Sequence, residues 1–391
     1  MEYDVIIIGG GASALFLASS LKVNKGLILE STDSAGTKLL MSGGGSCNIT
    51  NNIDIKEFPK MYGTNGKRIR TMLYKYNNKM LMKYMEELDV PLIIREDGKV
   101  FPKSMRAKDV LEALLKKANK NGFELITDSK VIDMNEGKVV TSHDKYFTKN
   151  IVIATGGKSY KNTGSNGEFL DILRNKNIGI IDEKPGLTPI YIENYMYKKN
   201  SGISFENISV TIDKHNTTGD VLLTHRGFSG PAILRLSQYA LPGGKFIISY
   251  IDGEVSDSHN KGVSKSLVNH LADLYGLPKS FIMETAEYLN IDGSQKVSSL
   301  PLREYKKIIG YLKNAEYLIS GVGGFNNAMV TVGGISLDEM DLKTLKLRKY
   351  NNIYAIGEVL DINGDTGGYN LQFCYSSAMV AANSIDKSMT I

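Results

Sequence analysis

The sequence predicts an α/β fold: an open, mainly parallel sheet built from both ends of the chain, with β-rich and helical segments inserted between. Three observations predict it. A short, fully apolar, β-branched run, Val5-Ile6-Ile7-Ile8, stops at Gly9-Gly10-Gly11. A second, Ile151-Val152-Ile153, ends in Ala154-Thr155-Gly156-Gly157, and a third, Ile353-Tyr354-Ala355-Ile356, ends in Gly357. Apolar runs without alternation suit parallel strands buried on both faces. Laid side by side, the three would deliver their glycines to one sheet edge, where ligands bind in open α/β sheets.

The elements follow in order. After the first glycines, Ala12 to Leu21 is rich in helix formers, and Leu27-Ile28-Leu29-Glu30 is a second apolar strand. Residues 78–89 and 107–121 read as helices, the latter with Leu111, Leu114, Leu115 and Ala118 on one face. Between them, Leu92-Ile93-Ile94 and Lys99-Val100-Phe101 flank Asp97-Gly98, a hairpin signal. From Glu124 a meander runs through Val131-Ile132, Val139-Val140 and Tyr146-Phe147 into the strand at 151–153. After Pro185-Gly186 alternation takes over in residues 187–252; residues 263–318 read as polar-faced helices. A glycine-rich return begins near 320, and 375–385 forms a closing helix. The expected organisation is a discontinuous domain (1–186 and 320–391), a β-rich insert (187–255) and a small helical domain (256–319).

Composition bounds the function. The chain has 391 residues, 42% of them hydrophobic, which is ample for a core. Lys+Arg exceeds Asp+Glu by 47 to 42. That excess reads as spread along the chain, with no segment interleaving basic and aromatic residues, so no stable nucleic-acid or membrane partner is expected. Two cysteines, Cys47 and Cys374, imply no disulfide framework and fit a reducing, cytoplasmic setting. Acidic residues precede the first apolar run, unlike a signal peptide, and no stretch is apolar enough to span a bilayer. No cluster has metal-ligand spacing.

The chemistry starts at Gly9-Gly10-Gly11-Ala12-Ser13-Ala14, a G-x-G-x-x-A pattern between a strand and a helix. Gly9 permits the tight turn, Gly11 a close approach of backbone to a pyrophosphate on the helix N-terminus, and Ala14 tight packing of helix on sheet. Glu30, ending the second strand 21 residues after Gly9, suits a ribose diol. An acid there favours FAD or NAD over a cofactor with a 2′-phosphate. The meander and the C-terminal strand–glycine return favour FAD. The run from Lys38 to Asn48 adds exposed backbone N–H groups for a flavin and its phosphates.

Four longer blocks carry a family resemblance. They are Gly36-Thr37-Lys38-Leu39-Leu40-Met41-Ser42-Gly43-Gly44-Gly45-Ser46-Cys47-Asn48-Ile49-Thr50-Asn51, Ala154-Thr155-Gly156-Gly157-Lys158-Ser159-Tyr160, Thr224-His225-Arg226-Gly227-Phe228-Ser229-Gly230-Pro231-Ala232, and Gly357-Glu358-Val359-Leu360-Asp361 with Thr366-Gly367-Gly368-Tyr369-Asn370-Leu371-Gln372. In these the chain resembles the HI0933-like flavoproteins, NAD(P)/FAD-dependent oxidoreductases of the BaiN/aminoacetone oxidase type. The resemblance implies a two-dinucleotide-binding-type, Rossmann-like FAD domain interrupted by a β-rich, barrel-like domain and a small helical one. It also implies site residues. Gly9 to Ala14 and Glu30 would hold the ADP half, and Val131 would meet the adenine through its backbone. Lys38, Leu39, Gly43, Gly44, Gly45, Cys47 and Asn48 would line the flavin side. Ala154, Thr155, Gly156 and Gly157 would pass beneath the cofactor. Gly357, Glu358, Asp361, Gly368, Asn370 and Leu371 would approach the ribityl chain and ring. The chain departs from the family at Ser46, where an arginine is usual, and at Lys161, where a proline is.

The expected activity is hydride transfer between a small organic substrate and a second partner. That partner is NAD(P)H docking transiently, oxygen in an amine-oxidase-like course, or another carrier, since no second strand-borne G-x-G-x-x-G provides a nicotinamide domain. A flavin-dependent RNA-modifying or nucleic-acid-binding protein is the alternative. Tyr369 and His225 are the candidate catalytic groups, with packing and structural hydrogen bonding as their plainer roles. The two cysteines lack C-x-x-C spacing, so a redox pair is not the favoured reading.

Overall fold

The computed structural model describes residues 2–251 and 263–390. They form two compact units, Met1–Gly186 with Met329–Ile391, and Leu187–Ala328.

In the discontinuous unit, β1 (Glu2–Ile8) leads through α1 (Ala12–Ser20) to β2 (Gly26–Leu29). Next come α2 (Thr37–Met41), α3 (Gly66–Lys75), β3 (Phe123–Ile126) and β4 (Lys145–Ile153). The C-terminal return supplies β5 (Ile353–Ala355) and α4 (Tyr369–Thr390). These strands pair in parallel in the order β5-β4-β1-β2-β3. The crossover through α1 carries the chain to one side of β1 and β4 lies on the other, so a switch point falls between them. Ile8, Ile153 and Ala355 lie level in the register. Their C-terminal ends therefore share one edge, as the three glycine-ended runs predict. Ile6, Ile7, Val152 and Ile153 are fully buried. Sealing each such side chain contributes about 1.5–3 kcal/mol, and β-branched residues fit the pleat.

The segment expected as a meander from Glu124 divides. Residues 123–126 join the parallel sheet as its outer strand, and the antiparallel meander comprises Val131–Asn135, Lys138–Thr141 and β4. The hairpin at Asp97-Gly98 forms, with Leu92–Ile94 antiparallel to Lys99–Pro102. A two-stranded ribbon, Ile180–Gly186 with Val330–Ile335, closes the unit, and Gly186 pairs with Val330 at its end.

The second unit is a closed antiparallel barrel of six strands: Ile190–Ile192, Ser204–Ile212, His215–Leu223, Gly227–Ser229, Lys245–Ser249 and Ala315–Val322. Phe228 and Phe246 are fully buried within it, and the Phe228 and Tyr317 ring centroids are 4.9 Å apart. The helices Leu267–Tyr275, Lys279–Tyr288 and Leu302–Lys313 share that core. Sequence periodicity extends the helical stretch to 318 and begins the return at 320. The structure instead ends the last helix at Lys313 and uses Ala315–Val322 to close the barrel, so barrel and helices form one unit. The expected boundary at 255/256 lies outside the described residues. Among the described residues, no helix is long and apolar enough to cross a membrane.

Candidate cofactor and active site

The shared edge of β1, β4 and β5 is assembled by glycines that cannot be replaced without collision. Gly9 has φ +97°, and a Cβ there would stand 2.6 Å from the carbonyl oxygen of Ala154. Gly357 has φ +72°, and its Cβ would meet Ser13 Oγ at 2.5 Å. Its N–H donates to Ser377 Oγ (3.1 Å), so the end of β5 is wedged between α1 and α4. Gly11 differs: its φ is −78° and a Cβ would have nothing within 4 Å. Its hydrogen therefore faces open space. Gly11 caps α1 without a side-chain hydrogen bond, and no acidic residue lies in the first turn. The first N–H groups of a helix have no intrahelical acceptor and carry the positive end of its dipole. Room of that kind against such a terminus suits a pyrophosphate.

Glu30 is held rigidly. Its Oε2 accepts from the Gly10 N–H at 2.7 Å, and its Oε1 from the Thr32 N–H at 2.9 Å and hydroxyl at 2.8 Å. Residues 128 and 129 run beside it, Asp128 N–H donating to Thr32 O and Ser129 N–H to Glu30 O. Val131, two residues on, starts the next strand. Beyond β4, Gly156 has φ +70°, and Thr155 Oγ1 is buried with no hydrogen-bond partner among the described residues. An orphaned buried hydroxyl carries a cost, which a polar group arriving in the cradle would remove.

The flavin-side residues take more varied places. Gly43, Gly44 and Gly45 are exposed with φ of 57°, 64° and 90°, a left-handed run that favours glycine. Cys47 is fully buried in the same core cluster as Leu39, and burial pushes its thiol up to about 11. Asn48, with its amide oriented to satisfy its neighbours, donates to Val100 O and Thr50 O and accepts from Gly368 N–H at 3.1 Å. Gly368, at φ +96°, lies so close to Thr50 that a Cβ would approach its backbone to 2.6 Å. Asn370 bonds back to Gly364 and Asp365, fixing the loop before α4. Leu371 is partly buried against the sheet core.

Lys38 and Glu358 find each other. Lys38 Nζ lies 2.6 Å from Glu358 Oε2 and 2.7 Å from Ser159 Oγ, and Glu358 Oε1 accepts the Thr331 N–H at 2.8 Å. Thr331 Oγ1 in turn accepts the N–H groups of Lys158 (2.7 Å) and Ser159 (3.1 Å). Glu358, read from sequence as a contact to ribityl hydroxyls, thus has both oxygens engaged by protein. Its visible work is to fix Lys38 at the cradle. Asp361 is bound by Asn65 through its carbonyl (2.7 Å) and carboxylate (3.1 Å). Sequence reading missed Thr331, Ser159 and Asn65 as site supports; a threonine in the short glycine-containing strand Val330–Ile335 was a weak local signal.

The candidate catalytic side chains belong to different units. Tyr369 is buried, its ring packed on Phe58 (5.2 Å) and Tyr62 (6.3 Å), while its carbonyl accepts from the Tyr62 hydroxyl at 2.7 Å. That is a packing role. His225 is exposed on a loop of the barrel unit. Cys374, pushed up by burial to about 12, sits at the α1–β5 wedge beside Gly357. Two thiols so raised are poor thiolates, which argues against a redox pair.

Comparisons with known proteins give the family and the fold. The chain matches the family described as HI0933-like protein Rossmann domain over residues 3–384. It is 29% identical over 400 residues to a ribosomal RNA dihydrouridine synthase of Haemophilus influenzae, covering 98% of each chain. It is 26% identical to a 3-dehydro-bile acid delta(4,6)-reductase of Clostridium scindens, covering 96% of this chain and 97% of the relative. Among solved structures, 3-ketosteroid delta1-dehydrogenase from Sterolibacterium denitrificans shares the fold, with a TM-score of 0.54 at 12% identity over 99% of this chain and 100% of that one.

Proposed function

The chain belongs to the HI0933-like family of flavoprotein oxidoreductases, and from that footing we propose an FAD-dependent reductase acting on a carbon–carbon double bond conjugated to a carbonyl. The observation that carries the reading is the cradle itself. Gly11 faces open space at a helix N-terminus without a side-chain cap, and the neighbouring strand end, against which Gly9 packs, carries the orphaned hydroxyl of Thr155. Those residues fit a dinucleotide. Gly9 and Gly11 would admit the pyrophosphate, α1 would supply its N–H groups, and Glu30, held from behind by Gly10 and Thr32, would take the ribose. Thr155 would donate its hydroxyl from beneath. Lys38, fixed by Glu358 and Ser159, would place a positive charge on the flavin side.

Bound FAD supplies two-electron hydride chemistry. The double-bond assignment draws on the relatives' names: a dihydrouridine synthase and a delta(4,6)-reductase each saturate a C=C bond polarised by a carbonyl. In such a reduction a hydride adds to the carbon β to the carbonyl and a proton to the α carbon, with NAD(P)H as the electron source.

An anaerobic absorption spectrum of the purified protein tests this. Flavin bands that NADH or NADPH bleaches, and that an enone or a uridine-containing RNA then restores, are expected. Bands untouched by nicotinamide but bleached by an amine would replace the reductase reading with an oxidase one. A colourless protein that takes up no FAD would remove the cofactor claim.

A further inference from the structure

Between Phe58 and Met85 the chain carries seven basic residues, four tyrosines and no acidic residue. This corrects the even spread of charge expected from the whole-chain balance. The structure puts the centre of that segment on α3. Ile69, Met72 and Leu73 are buried against the unit's core, while Lys67, Arg68, Arg70, Thr71, Tyr74 and Lys75 are exposed on the other side. Arg68 is paired with Asp338 at 2.6 Å. Among the described residues no carboxylate pairs with Lys67, Arg70 or Lys75; Arg70 lies over the Tyr74 ring at 6.0 Å and Lys75 over Tyr76 at 5.2 Å. Over eight helical steps these three cations span about 12 Å.

The position of this face is fixed relative to the site. The segment before α3 is stapled to the loop that leads into α4. Tyr62 Oη donates to Tyr369 O (2.7 Å), Asp365 N–H to Met61 O (2.9 Å), and Asn65 holds Asp361. The basic helix therefore borders the loop between β5 and α4.

We propose that the exposed face of α3 is a docking surface for the phosphate backbone of a folded RNA, presenting a base of that RNA to the flavin side of the site. Unpaired cations set off by an exposed aromatic ring are the footprint of nucleic-acid binding. A lipid surface fits less well, because a membrane-surface helix needs its apolar face free to enter the headgroup layer, and here that face is buried in the fold. The inference deepens the reductase reading, resting on it for what happens to the base; docking itself is read without turnover.

The test is fluorescence anisotropy with a labelled RNA stem-loop between about 50 and 200 mM KCl. Wild-type protein is compared with a Lys67→Gln/Arg70→Gln/Lys75→Gln variant and with a charge-conserving Lys67→Arg/Arg70→Lys/Lys75→Arg variant. Expected is salt-dependent binding that the glutamine variant weakens at least about tenfold at the lower salt, with the log–log salt slope falling by about two to three. The charge-conserving variant should keep both. No wild-type binding at low salt, equal binding by the glutamine variant, or charge-dependent binding to phosphatidylserine vesicles in place of RNA would each overturn the proposal. Bleaching of the flavin by NADPH, measured on the same preparations, should be unchanged in both variants. If nicotinamide bleaches none of them while RNA binding still depends on the three cations, the reductase reading falls and the docking surface stands.

Discussion

Gly9 and Gly11 sit two residues apart in the first turn, and alanine at each separates folding from cofactor binding. At Gly9 the left-handed φ and the Ala154 carbonyl 2.6 Å from a Cβ make alanine costly, by about 1–3 kcal/mol. At Gly11 the backbone is ordinary and the space is open, so alanine should leave stability within about 0.5 kcal/mol. It should nonetheless reduce bound flavin severely, because its methyl occupies the cradle. Urea melts and the flavin-to-protein ratio of the two variants check both halves. The cysteines give a second outcome. With Cys47 raised to about 11 and Cys374 to about 12 by burial, both stay protonated at pH 8. Iodoacetamide should then label neither in the native protein and both in urea, by mass spectrometry. At this scale much was legible from sequence, because a glycine's φ or an acid at a strand end is a property of one residue and its immediate neighbours. The role of Thr331 was not, since its partners Lys158 and Ser159 lie more than 170 positions away.

Between elements, the ribbon strand Val330–Ile335 reaches the turn after β4 through that threonine. Thr331 is 1% exposed. Thr331→Val would keep its shape while leaving the Lys158 and Ser159 N–H groups without their acceptor, a loss of about 1–3 kcal/mol by denaturant melt. Asp4 plays the corresponding part at the opposite end of β1. Burial pushes its carboxyl up, but Lys149 and the N–H groups of Lys25 and Asn24 outweigh that and hold it below its ordinary value. A depressed carboxyl stabilises the fold above the unfolded pKa, and that contribution is lost as pH falls through the folded one. Asp4→Asn should therefore lower the melting temperature at pH 7 and lose its effect as the pH falls through the depressed pKa of the folded state. Strands with continuous apolar runs were readable one by one. What alternation could not reveal was partnership: that 123–126 would join the parallel sheet, or that 315–322, read as the end of a helical stretch and the start of the return, would close a barrel. Those outcomes are decided by pairing across long sequence separations.

For the whole molecule, the decisive feature is where the insert enters and leaves. Gly186 and Val330 are cross-strand neighbours in the ribbon. In the second unit Ile190 pairs with Val322, and Gly323 N–H donates to Pro189 O at 2.9 Å. Each unit thus brings its own cut ends together. Replacing residues 187–329 by Asn-Gly, a two-residue hairpin turn, should leave a folded unit that still retains FAD. The excised 187–328 segment should melt cooperatively by circular dichroism. An unfolded product from either half would show that the units depend on one another. The discontinuity itself was visible in sequence from the glycine-ended strands; the seam was not, because the ribbon that seals it is short and glycine-broken.

The wedge of Gly357 between α1 and α4 also sets a timetable. Gly9 leaves the ribosome well before the barrel, but the strand and helix that complete its edge come after the whole barrel has been translated. A nascent chain can finish its barrel while the nucleotide cradle still lacks one wall. Cofactor loading then waits for the C-terminal return, and a chain that stalls between the barrel and α4 would be half folded and empty.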